Sequence, residues 1–211
     1  MNLPNKLSLL RMILVPVFMI VLALPASVLP LWLSAVLGAI IFIVASITDC
    51  LDGKIARKYH LITDFGKLID PLADKFMVIG ALIMILYRAV DYRALFVVAL
   101  TVVVFRELAV TAMRLITATK SGVAVPANML GKIKTVSQMV LVLFLMLVGR
   151  LAPVVLPDVV LMETAVEVIS FMLQTAIKVI GWALTIWVVV ITVWSGVDYF
   201  IRNFDVIRNA K

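Results

Sequence analysis

Apolar runs of membrane-crossing length recur along this chain, separated by short polar stretches. They cover about 7–24, 31–48, 72–87, 94–116, 136–148 and 176–194. Such lengths read as bilayer-spanning segments. None shows the ten-residue alternation of a membrane barrel strand, and a helix satisfies its own backbone in lipid, so all six are expected to be helices. The second helix is predicted to continue past the membrane through Arg57 or Lys58, and Pro25 and Pro30 bracket a tight uncharged turn. Residues 1–6 mix polar and apolar side chains at helical spacing and predict a short N-terminal interfacial segment. The piece VVLMETAVEVISFML (159–173), apolar all round except two acids, predicts a second interfacial helix, and an aromatic-basic tail closes the chain. There is no internal repeat, low-complexity tract or linker, so residues 1–211 read as one domain: an all-α integral membrane protein.

Composition agrees: 64% of 211 residues are hydrophobic and mean hydropathy is +1.19, values outside the range of soluble domains. Because further runs of equal length follow the first, it reads as a retained helix rather than a cleaved signal. The net charge of +7 is spread over the loops, which argues for membrane topology rather than nucleic acid. With both termini on one side, as six spans require, that side holds fifteen Lys and Arg and the other only Arg88, Arg93, Arg150 and Lys178. Positive-inside bias therefore predicts cytoplasmic termini. Cys50 is the only cysteine, which excludes intramolecular disulfides, zinc knuckles and CxxC redox chemistry. His60, also alone, reads as a solvated loop residue.

Against this background the stretch DCLDGKIARKYHLITDFGKLIDPLAD stands out, with four aspartates at the mouths of two spans. An aspartate at the bilayer centre costs about 2.5–3.5 kcal/mol, so such residues imply a function. Asp49 and Asp52 share a helical face that Gly53 and Ala56 continue, and Gly66, Asp70 and Asp74 follow one another at i+4 steps. Oxygen donors beside glycines that admit a close ligand suit Mg²⁺ or Mn²⁺ bound together with phosphates. Arg57 is placed to hold a phosphate or pair with an aspartate. Pro71 leaves two arrangements open: Asp70 caps a helix starting at Pro71, or a helix begun near Asp64 kinks there.

The pattern Asp49-x2-Asp52-Gly53-x2-Ala56-Arg57-x8-Gly66-x3-Asp70-x3-Asp74 resembles, at every fixed position, the signature of the CDP-alcohol phosphatidyltransferases. A chance match in a chain this long is on the order of 10⁻⁸ by average residue usage. The resemblance implies transfer of a phosphatidyl group from CDP-diacylglycerol to a small alcohol, with release of CMP. It further implies that Asp49, Asp52, Asp70 and Asp74 hold two Mg²⁺ or Mn²⁺ ions and that Asp74 is also the catalytic base. Gly53, Ala56, Arg57 and Gly66 would line the CDP site. It implies a homodimer in the cell membrane, its site facing the cytoplasm.

Arg106, Glu107 and Arg114 on the fourth span, and Lys132 and Lys134 opening the fifth, put cations on the predicted cytoplasmic side. Such cations suit an anionic acceptor and would repel choline or ethanolamine. PNKLSLLR, VFRELAVTAMR and GKIKT are similar to the branch of that family that uses glycerol 3-phosphate, with Ser8 where that branch usually has Thr. Arg106, Arg114, Lys132 and Lys134 are accordingly expected to hold the acceptor phosphate. The rivals are the same chemistry with inositol phosphate, phosphatidylglycerol or serine, and a divalent-cation transporter. A transporter would bury its acids deep in broken helices, whereas these sit together at one edge.

Overall fold

The structure is a computed structural model describing residues 3–58, 64–88, 93–121, 129–156 and 165–204; among these, the side chains of 3, 4, 50, 52–58, 64–71, 74, 88, 115–121 and 153 lie outside the description. All regular structure in the described residues is helical: α1 (Leu3–Ala23), α2 (Leu31–Lys58), α3 (Asp64–Arg88), α4 (Arg93–Ser121), α5 (Met129–Val155) and α6 (Ala165–Arg202). Five helices carry segments long and apolar enough to cross a bilayer, the build of a multi-pass membrane protein; the apolar part of α3, Lys75–Tyr87, is shorter.

Several bounds differ from expectation. The segment expected to lie apart at residues 1–6 is continuous with the first span from Leu3 onward. Pro4 falls in the first turn, where a missing N–H costs nothing, so nothing breaks the helix there. α3 begins at Asp64 and runs through Pro71, which decides between the two arrangements left open above. The piece expected as a separate interfacial helix at 159–173 is, from Ala165 onward, the start of the 38-residue α6.

Contacts divide the chain into two compact units, Met1–Arg88 with Val142–Val179 and Ala89–Leu141 with Ile180–Lys211. In the first, α1 packs against both α2 and α3. Its buried stripe steps three or four residues at a time through Asn5, Ser8, Arg11, Val15, Phe18 and Leu22, polar in its first half and apolar in its second. Small residues on the facing helices (Ala35, Ala39 and Ala45 on α2, Ala73 and Ala81 on α3) let the backbones approach, which drives helix association where lipid removes the hydrophobic gain. Gly38 marks the tightest approach: a Cβ there would lie 2.7 Å from Leu22 Cδ2 and 3.2 Å from Met146 Sδ. Phe18 and Phe42, both fully buried, pack with their ring centroids 6.2 Å apart. Arg150 Nη2 donates to the Leu22 carbonyl at 3.3 Å, satisfying one of the acceptors that the end of α1 leaves open.

In the second unit α4 buries Phe96, Ala99, Val103, Val110 and Met113, and α6 buries Val188, Ile191 and Tyr199. The stripe is not wholly apolar. Lys134, Gln138, Thr185, Thr192 and Ser195 are also buried, and Trp187 Nε1 donates to Ser137 Oγ at 3.0 Å. Lys134 and Ser195 are partnered by side chains of neighbouring helices and Thr185 Oγ1 donates to the Gly181 carbonyl of its own helix, whereas Gln138 Nε2 and Thr192 Oγ1 are buried without a hydrogen-bond partner among the described residues.

Candidate functional site

α2 carries Asp49 and Asp52 one turn apart, and α3 carries Gly66, Asp70 and Asp74 on successive turns of one helix. Of the four aspartates only the side chain of Asp49 is described. Those of Asp52, Asp70 and Asp74, and the expected nucleotide contacts Gly53, Ala56, Arg57 and Gly66, lie outside the described residues. Asp49 receives a hydrogen bond from Arg11 Nη1 on its Oδ1. The pair is unevenly buried, at 1% side-chain exposure for Arg11 and 36% for Asp49.

Arg11, in the PNKLSLLR segment, was not among the expected site residues. Its role as the partner of the first motif aspartate was carried by spacing: positions 5, 8 and 11 continue backwards the buried face that 15, 18 and 22 define. A buried arginine at the end of that row has to find a carboxylate.

The cations of the second unit separate into two kinds. Glu107 lies at the centre of the first: its Oε1 accepts hydrogen bonds from Lys134 Nζ and, at 3.2 Å, from Arg106 Nη1. All three side chains are almost enclosed. Arg106 Nη2 donates to Ser195 Oγ at 2.5 Å, and Arg106 Nε is buried without a hydrogen-bond partner among the described residues. Gly196 makes room for this side chain, since a Cβ there would meet Arg106 Cγ at 3.2 Å; a Cβ on Gly131 would stand in ordinary contact with Nη2 at 4.0 Å. Thr111 Oγ1 donates to the Glu107 carbonyl at 2.6 Å, one turn back.

Lys132 and Arg114 are the second kind, both exposed. The Arg114 guanidinium stands 5.6 Å from the ring centroid of the buried Tyr199, within cation–π range. Thus Arg106 and Lys134 share one carboxylate, while Lys132 and Arg114 reach the surface by separate routes. Ser195 and Gly196 were not singled out in the sequence. A serine inside an apolar span gives no signal until its partner is known.

Between α4 and α6 lies a cavity of about 360 Å³ that Arg106 and Thr101 help to line, with Val102, Phe105, Val193 and Phe200 among its apolar walls. Its walls are apolar, so it is no place for a phosphate. The cationic head of Arg106 is turned instead to Glu107 and Ser195.

The chain is thus a helical protein with membrane-spanning segments that carries aspartates at one-turn intervals on α2 and α3. Residues 1–194 match the CDP-alcohol phosphatidyltransferase family, and the chain belongs to that family. Among characterised relatives it is similar to the CDP-diacylglycerol–glycerol-3-phosphate 3-phosphatidyltransferase of Bacillus subtilis, 39% identical over 222 residues that take in 100% of this chain and 99% of the relative. The protein of the same name from Rickettsia felis is 37% identical over 75% of this chain and 82% of its own length. That from Salmonella typhimurium is 36% identical over 69% and 76%.

Proposed function

We propose that this chain transfers the phosphatidyl group of CDP-diacylglycerol to sn-glycerol 3-phosphate, giving phosphatidylglycerol phosphate and CMP. The observation that carries the reading is the run of aspartates at one-turn intervals on α2 and α3, in a chain alike from end to end to a relative of that name. The donor set is all carboxylate oxygen, which fits Mg²⁺ or Mn²⁺ and not a soft metal. Asp49, Asp52, Asp70 and Asp74 would hold two such ions. When bound, they neutralise charge on the pyrophosphate and on the departing CMP.

The protein's own groups do the rest. A free hydroxyl of glycerol 3-phosphate attacks the phosphorus that bears diacylglycerol. The P–O bond to CMP breaks, and the hydroxyl proton passes to the Asp74 carboxylate. Gly53, Ala56, Arg57 and Gly66 line the CDP half of the donor. Arg106 and Lys134, with Arg114 and Lys132 outside them, take the acceptor phosphate. Among the described residues two cations face one carboxylate in the Arg106–Glu107–Lys134 cluster, a balance that favours an anion. The reading includes six spans, with both termini and the motif on the cytoplasmic side and the chain working as a homodimer in the cell membrane.

The test is CMP release by the purified protein from CDP-diacylglycerol and Mg²⁺ or Mn²⁺, with each candidate alcohol offered in turn. Glycerol 3-phosphate should support turnover and a chelator should abolish it. Turnover only with inositol phosphate, phosphatidylglycerol or serine would reassign the acceptor. Activity indifferent to the chelator would remove the metal-assisted chemistry.

A further inference from the structure

We propose that Ser195 on α6 is a positioning residue for acceptor selection: it fixes the Arg106 guanidinium in the orientation that receives the phosphate of glycerol 3-phosphate. The proposal rests on the reading that Arg106 belongs to the acceptor site, and it adds a helix to which that reading gives no part.

Serine and threonine inside lipid-facing helices ordinarily turn back on their own helix and donate to the carbonyl four residues earlier. Ser46, Thr101, Thr111, Thr135 and Thr185 all do so. Ser195 does something else: it is buried and accepts a hydrogen bond from Arg106, a residue 89 positions away in sequence. The next residue, Gly196, is small where the Arg106 stem passes, so two successive residues of α6 serve one arginine: Ser195 engages its head and Gly196 clears its path. Glu107 fixes the other terminal nitrogen. With Nη1 and Nη2 both engaged, the plane of the guanidinium is set before any ligand arrives. Buried Nε, without a partner among the described residues, belongs to the same rigid fork.

A phosphate is gripped by a guanidinium through planar, directional contacts, so an arginine free to turn about its long stem binds it less tightly than one already held. Phosphate recognition is thereby tied to α6.

The experiment measures KM for glycerol 3-phosphate and for CDP-diacylglycerol by CMP release, values that do not depend on the fraction of protein that folds. Ser195→Ala should raise KM for glycerol 3-phosphate about tenfold, the scale of one hydrogen bond to a charged group. KM for CDP-diacylglycerol should stay within about twofold. Ser195→Thr, which keeps the hydroxyl, should restore most of the loss. Gly196→Ala, which drives a Cβ against the Arg106 stem, should raise the same KM with Ser195 intact. Arg106→Ala separates the two levels of the argument. If it raises KM for glycerol 3-phosphate while Ser195→Ala and Gly196→Ala do not, the role of Ser195 is overturned and the acceptor site stands. If Arg106→Ala leaves that KM unmoved, the acceptor reading fails and the role of Ser195 goes with it.

Discussion

Substituting either member of the Arg11–Asp49 pair removes the same contact, yet the two losses should differ. In Asp49→Asn the guanidinium stays in a site where it is 1% exposed and loses this one carboxylate contact. Removing one partner of a buried ion pair costs about 3–5 kcal/mol, most of it from the charge left behind. In Arg11→Met the site is refilled by an apolar side chain of similar reach. The charge left behind is then Asp49, 36% exposed and open to hydration, so the cost falls to about 1–2 kcal/mol. A gap of about 2 kcal/mol is roughly a thirtyfold difference in the unfolding equilibrium. Equilibrium unfolding of the purified protein in mixed micelles reads this directly, with a chelator present so that no divalent ion acts on Asp49. The double variant Arg11→Met/Asp49→Asn should recover much of the Asp49→Asn loss, since the pair is coupled. Arg11→Met costing as much as Asp49→Asn, or more, would refute the argument from burial.

Two further outcomes follow from the same geometry. Gly38→Ala should destabilise by about 1–3 kcal/mol, because its Cβ would press on Leu22 and Met146 inside a packed interface. At Gly80 the nearest atom is Val15 Cγ1 at 3.3 Å, so Gly80→Ala should cost less; thermal unfolding of the two variants side by side checks the order. Lys132→Ala and Arg114→Ala should each raise KM for glycerol 3-phosphate and leave use of CDP-diacylglycerol less affected. Unchanged kinetics would take those two residues out of the site.

The helices were legible because lipid forces one solution on a long apolar run: the backbone must satisfy itself. Their ends were less legible, because a helix leaving lipid can go on through polar residues. α5 begins at Met129, well before the apolar run expected from 136, and includes the Gly131–Thr135 turn. α6 passes through Gln174 and Lys178 without a break. The candidate reaction centre is a reading of spacing, Asp, Gly and Arg at one-turn intervals, and most of its side chains lie outside the described residues. On the proposed acceptor side the sequence showed charge but not which cations are buried. Lys132 and Lys134 look alike in GKIKT, but two positions apart on a helix they face opposite ways. Hence Lys134 is buried on Glu107 while Lys132 is exposed.

The length of α6 carries a mechanical consequence. Its 38 residues make a rod of about 57 Å, against a hydrocarbon slab of about 30 Å. Even at a tilt of about 40°, the steep end of the usual range, it still rises about 44 Å along the bilayer normal. Between Lys178 and Asp198 lie 19 uncharged residues, about 28 Å of helix and a near match for the slab. The four turns before Lys178 are therefore surplus, and they hold the exposed side chains of Ile169, Phe171, Met172 and Leu173. Thickening the bilayer draws these side chains into the acyl region, and thinning it expels them, each ångström of mismatch costing a fraction of a kcal/mol. A helix of this length should make the protein sensitive to the thickness of the bilayer around it.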